Sequence, residues 1–169
     1  TFFCFIIVNA SHSQDCENRY MSLSYKTISR INFAKADFTP DTELIVSGNL
    51  FDFNGAGHLA RFSKNGTPLW SNHYIINYFS LQLKIFFSNL QFNDFFVTQD
   101  GGMVVAGQAD YGSQEVGFHK VAILAKIDRF GNISWASEYL SSSAIGDLGF
   151  STIYQTIDGD IIAYMEYDR

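Results

Sequence analysis

Short apolar runs of strand length alternate along this chain with clusters of Gly, Asn and Asp, and the pattern reads as β-strands joined by tight turns. The middle of the chain is the clearest. It predicts strands over 92–98, 103–108, 121–127 and 133–139. The first is ended by Gln99-Asp100-Gly101-Gly102 and the third by Asp128-Arg129-Phe130-Gly131. Gly permits positive φ in such turns, and Asp and Asn side chains bond the turn backbone. Val104-Val105-Ala106-Gly107 is apolar without interruption, as expected of a strand buried on both faces.

The same pattern occurs twice and begins a third time. Leu59-Ala60-Arg61-Phe62-Ser63-Lys64-Asn65-Gly66, then Trp70 and Tyr74, matches Leu124-Ala125-Lys126-Ile127-Asp128-Arg129-Phe130-Gly131, then Trp135 and Tyr139, at an offset of 65. Upstream, 39–48 pairs with 98–107 at an offset of 59, and a third copy opens at Thr156-Ile157-Asp158-Gly159. A period of about 60 residues means one supersecondary unit stacked on copies of itself. The divisions expected are 14–27 as a lead-in, 28–80 as the first unit, 81–91 as an inserted connection, 92–143 as the second unit and 144–169 as a truncated third.

The copies differ in their connections. Gly107 to Leu124 spans 17 steps against 11 from Gly48 to Leu59, and Tyr74 to Thr98 spans 24 against 17 from Tyr139 to Thr156. In a four-stranded antiparallel unit these two connections open on the same rim. They therefore offer one loop face for a partner, with Tyr111, Glu115, Phe118 and His119 as candidate contacts. Tyr78, Phe79, Lys84, Phe86 and Phe87 lie in the other connection. The competing reading is that 75–92 adds strand or packs beneath a neighbouring unit.

Composition narrows the class. At 47% hydrophobic and 17% charged over 169 residues, the chain can bury a core and is not disordered. Its aromatic content of 17% suits strands. The net charge of −6, with no basic run, argues against nucleic acid as a partner. The apolar start, Phe2 to Val8, followed by small residues, reads as a clipped secretory signal over 1–13, with a buried first strand as the alternative. It is too short to span a membrane. The chain starts at Thr1 and stops just inside a strand of the third copy, so it reads as a piece of a longer protein. Cys4 and Cys16 show no metal or disulfide spacing.

The segments 125–135 and 98–107 together resemble the roughly 60-residue β-propeller repeats of secreted and surface proteins. They are similar to pyrroloquinoline-quinone-type propeller repeats, in which an Asp, a turn Gly and a Trp four residues later recur in each blade. The resemblance covers most of 28–169. Ser63 replaces the Asp in the first copy, and Thr42-Glu43 replaces the Gly-Gly. The resemblance implies an all-β partial propeller of about two four-stranded antiparallel blades plus the start of a third. It also implies that Trp70 and Trp135 anchor each blade on the next, each burying an indole that can donate its N–H to a turn carbonyl.

Candidate chemistry is sparse. An adjacent Cys–Cys pair and an acidic calcium-ligand cluster, which a quinone dehydrogenase would require, are missing from the sequence. The arginines (Arg19, Arg30, Arg61, Arg129, Arg169) share no blade position that would match a sialidase triad. His12, His58, His73 and His119 have no ligand spacing; His58 and His119 precede the third strand of successive copies and so could lie near each other, but a surface or packing role is the simpler reading. Sequons at Asn9, Asn65 and Asn132 are candidate glycosylation sites, the last two in exposed hairpin turns. The expectation is a non-catalytic binding or scaffold module, secreted or at the cell surface, without cofactor or metal. It would take a protein or carbohydrate ligand and bind the remaining blades of a parent chain, or itself, through open strand edges. The alternative is a fragment of a propeller hydrolase or oxidoreductase whose catalytic residues lie on other blades.

Overall fold

The computed structural model describes residues 4–7, 20–23, 31–50, 55–75, 79–80, 85–113, 117–139 and 147–168. Every regular element among them is a strand. Strands β1 (Cys4–Ile7) and β2 (Tyr20–Leu23) form an antiparallel pair. The first large sheet runs β3 (Ile31–Phe38), β4 (Leu44–Leu50), β5 (Ala56–Phe62) and β6 (Pro68–Tyr74) in chain order. The second has β7 (Phe79–Ser80), β8 (Ile85–Val97), β9 (Met103–Ser113), β10 (Gly117–Ile127) and β11 (Ile133–Tyr139). The third consists of β12 (Asp147–Gln155) and β13 (Ile161–Asp168). All pairings are antiparallel. Among the described residues no helix is long and apolar enough to cross a membrane.

The same turn closes five hairpins. Its first residue is Thr39, Ser63, Thr98, Asp128 or Thr156, whose N–H donates to the carbonyl four residues on, while its own carbonyl accepts from the residue three on. A side-chain oxygen on that first residue often completes the turn. Thr39 Oγ1, Ser63 Oγ, Thr156 Oγ1 and Asp128 Oδ1 each accept the N–H four residues ahead. The fourth position has positive φ, and Gly66, Gly101, Gly131 and Gly159 fill it without steric cost. Thr42 occupies it in the first turn at φ 64°.

The inserted segments extend strands. β11 coincides with the expected fourth strand, whereas β8, β9 and β10 are longer than the pattern predicted. The connection expected as a loop between 108 and 121 is largely a hairpin ladder, with Tyr111 opposite His119 and Gly112 opposite Phe118. Hydrogen-bonded pairing carries Gly, Asp and Ser there despite their poor strand preference. β8 begins at Ile85, inside the 81–91 stretch expected as a connection, and β7 adds a fifth strand.

The three sheets pack face to face in sequence order. Side chains alternate across β9 and β10, so the second sheet is buried on both faces. Met103, Val105, Ile123 and Ile127, with Phe92 of β8, meet Ile45, Leu59 and Tyr74 on one side. Val104, Ala106, Ala122 and Leu124 meet Leu148, Phe150 and Ile153 on the other. This is the double burial that the unbroken apolar run predicted. Strands β3, β8 and β12 each carry a β-bulge at the same place in the repeat: Phe33/Lys35, Phe92/Asp94 and Phe150/Thr152.

Candidate functional site

Polar side chains of the first sheet hold the second by its backbone. Trp70, on the face of β6 turned to the second sheet, donates its Nε1–H to the Arg129 carbonyl at 3.0 Å. Asn72 Nδ2 and the Tyr74 hydroxyl both donate to the Gly131 carbonyl, at 3.1 and 2.8 Å. Burial raises the Tyr74 hydroxyl above its ordinary pKa, so it remains a donor. Gly131 has φ +85°, and a Cβ there would lie 2.4 Å from Asn72 Nδ2 and 3.2 Å from the Trp70 ring. That glycine is needed for its turn and for the neighbouring sheet to close on it.

Arg61 lies on the same face and is 2% exposed. It donates to Glu43 at 2.6 Å, to the Gly101 carbonyl at 2.6 Å and to the Arg129 carbonyl at 3.0 Å. It thus ties both lower turns of the second sheet to the first. Asn49 reaches the edge of β8, where its Oδ1 accepts the Phe92 N–H at 2.7 Å and its Nδ2 donates to the Phe92 carbonyl at 3.0 Å. Across the second interface Asn93 Nδ2 donates to the Phe150 carbonyl at 2.8 Å. Sequence reasoning named the tryptophan and missed Arg61 and Asn49. The available signal for Arg61 was the basic residue at the matching place in both copies, Arg61 and Lys126.

A line of polar groups crosses β3, β8 and β12 at their bulges. Lys35 Nζ binds Asp94 Oδ1 at 2.8 Å, and Asp94 Oδ2 accepts from Thr152 Oγ1 and the Ile153 N–H at 2.7 and 2.9 Å. Burial alone would raise the Asp94 pKa, but these partners outweigh it and hold the carboxyl below its ordinary value.

The rim candidates fall at the outer end of the β9–β10 hairpin. Tyr111 and Phe118 are in its two arms, and Glu115, Tyr78 and Lys84 lie outside the described residues. Beside the hairpin, Asp147 at the start of β12 accepts the Lys120 N–H at 3.1 Å and stands 4.0 Å from His119 Nδ1. Asn89 Nδ2 donates to Asp110 Oδ2 at 2.7 Å. Between the second and third sheets a cleft of about 120 Å³ opens here, lined among others by Gln108, Lys120, Asp147 and Glu166. The structure therefore brings the β9–β10 end and the start of β12 onto one rim.

The histidines have separate neighbours. His58 is the cross-strand partner of His73, with ring centroids 4.9 Å apart, while His119 faces Asp147. Burial, and then His73, push His58 down to about 4. Among the described residues no group of three or more His, Cys, Asp or Glu is placed to hold a metal. Asn65 and Asn132 are both exposed turn residues. Asn132 Nδ2 also donates to Asp128 Oδ2 at 3.1 Å, so a glycan there would compete with the turn. Asn9 and Cys16 lie outside the described residues, and Cys4 is in β1, paired with Leu23.

Trp135 occupies on β11 the place Trp70 has on β6, opposite Lys126 as Trp70 is opposite Arg61. Its surroundings differ: it is 40% exposed. The turn that a third copy would present to it has no counterpart among the described residues, where the third sheet has two strands. No protein-family profile matches the chain, and no curated protein sequence matches it.

Proposed function

We propose that the three sheets are consecutive blades of a β-propeller belonging to a secreted or surface protein, and that the chain acts as a non-catalytic binding or scaffold module. One observation carries the reading of function: the second blade departs from the first at its rim. Shared positions of the copies carry blade-to-blade bonds, whereas the extra residues lengthen β9 and β10 at one end, where Lys120 meets Asp147 of the third sheet. Extension at one end of a stacked array is where such folds vary their binding face. Polar groups of the cleft beside it, Gln108, Lys120, Asp147 and Glu166, suit a carbohydrate or polar protein surface.

The test is a glycan array probed with the chain and with a variant whose 110–118 segment is replaced by a tight turn, shortening the hairpin towards its first-copy length. Retention of defined glycans by the parent and loss by the variant, with unchanged circular dichroism, is the expected result. Equal retention by both would overturn the rim as the binding face.

A further inference from the structure

The face of β11 bearing Trp135, together with the open edge of β13, forms a surface whose repeat-equivalent is fully occupied one sheet earlier. Trp70, Asn72 and Tyr74 on β6 are covered by the 128–131 turn of the next sheet. Trp135, Ser137 and Tyr139 occupy the matching places on β11. Trp135 and Tyr139 are exposed at 40% and 43%, and Ile133 beside them at 56%. The neighbouring edge is apolar too, with Ile161, Ile162, Tyr164 and Met165 of β13 exposed. Among the described residues β13 is paired on one side alone, by β12. An apolar patch beside an unpaired strand is a template for strand addition.

We infer that this surface binds a β-hairpin of the repeat's own third-and-fourth-strand kind. One arm pairs with β13. The turn, with Ser, Thr or Asp at its head and Gly three residues later, sets its carbonyls against Trp135 Nε1 and the Tyr139 hydroxyl. The choice of occupant follows from continuity with the first interface. There, a hairpin of this kind places two turn carbonyls, those of Arg129 and Gly131, against the matching donors. Lys126 sits where Arg61 does and already binds the 98–102 turn of its own sheet, through Thr98 Oγ1 and Asp100.

A second copy of the folded chain fits less well. Pairing β13 with β13 antiparallel would send the partner's 156–159 turn to the far end of the sheet from Trp135, leaving its N–H unmet. The inference rests on the stacking of the sheets and not on closure of a propeller or on the rim's ligand. A failed glycan screen leaves it standing, and a stack that never closes still binds the hairpin.

The test uses the full chain and a fluorescently labelled peptide with the sequence of residues 117–139, which carries such a turn, followed by anisotropy. Saturable binding is expected, weakened about tenfold or more by Trp135→Ala in the chain and by Gly131→Val in the peptide. Because Trp135 is exposed, its loss leaves the fold intact, and circular dichroism checks this. Three results would overturn the inference: no saturable binding, equal binding by the Trp135→Ala chain, or self-association through β13 that survives Trp135→Ala and blocks the peptide.

Discussion

Asn49 gives the most direct measure of what joins the first two sheets. Beyond β7, β8 is an edge strand, and Asn49 pairs with its Phe92 backbone as a neighbouring strand would, at 2.7 Å to the N–H and 3.0 Å to the carbonyl. Asn49 is 8% exposed and Phe92 2%. Asn49→Ala therefore leaves a buried donor and a buried acceptor without these partners. Each costs about 1–3 kcal/mol when unpaired, and partial relaxation brings the expected loss to about 2–4 kcal/mol. That is a large share of the stability of an ordinary domain, about 5–15 kcal/mol.

Asn49→Asp separates hydrogen bonding from packing. The carboxylate still accepts from the Phe92 N–H but opposes the Phe92 carbonyl, so at neutral pH it should be at least as damaging as alanine. Acidification protonates the buried carboxyl, whose O–H can then donate to that carbonyl, and the deficit relative to the parent shrinks as pH falls. Urea unfolding followed by far-ultraviolet circular dichroism measures both, with equal m-values required for comparison. An Asn49→Ala chain within about 0.5 kcal/mol of the parent would refute the reasoning, since exposed substitutions give shifts of that size. So would an aspartate variant that matches the parent at neutral pH.

Two further perturbations follow from single residues. Thr42 holds φ 64° in a turn position that glycine fills in the other four hairpins; Thr42→Gly should stabilise by about 0.5–1 kcal/mol, and an unchanged or lower melting temperature would show that the strain is absent. His58, pushed down to about 4 by burial and by His73, stays neutral in the fold where the unfolded chain, near 6.5, takes a proton. Stability should therefore fall as pH drops from about 6.5 towards 4, by about 1–3 kcal/mol after allowing for partial hydration. His58→Gln should flatten that slope, and a slope unchanged by the substitution would assign it elsewhere.

The turns were legible because their chemistry is local. Thr98, Asp128 and Thr156 bond within four residues, and the positive φ beside them reads directly as Gly. Trp70 was legible through its recurrence at Trp135. The lengths of β9 and β10 were not, since Asp110, Gly112 and Gly117 read as loop and are held in strand by a cross-strand ladder. Asn49, Arg61 and Lys35 were illegible for a different reason. Their partners on the neighbouring sheet lie 40 to 68 residues away, and nothing in an isolated Asn or Arg says which backbone it will meet.

The bulges show why the two interfaces are not independent. An extra residue in a strand increases its local twist and re-aims the side chains beside it. In β8 the bulge falls between Phe92 and Asp94, and it sets adjacent groups to opposite tasks. Phe92 presents its backbone to Asn49 of the first sheet, while Asn93 donates to Phe150 of the third. Asp94 serves both, with one carboxylate oxygen on Lys35 and the other on Thr152 and Ile153. A carboxylate shared in this way couples the interfaces through one side chain, so changes on either side of it should fail to add. The same bulge in β3 and β12 repeats the geometry with other residues at the matching place, Lys35 and Thr152. The backbone device therefore belongs to every sheet, while the shared carboxylate belongs to the middle one.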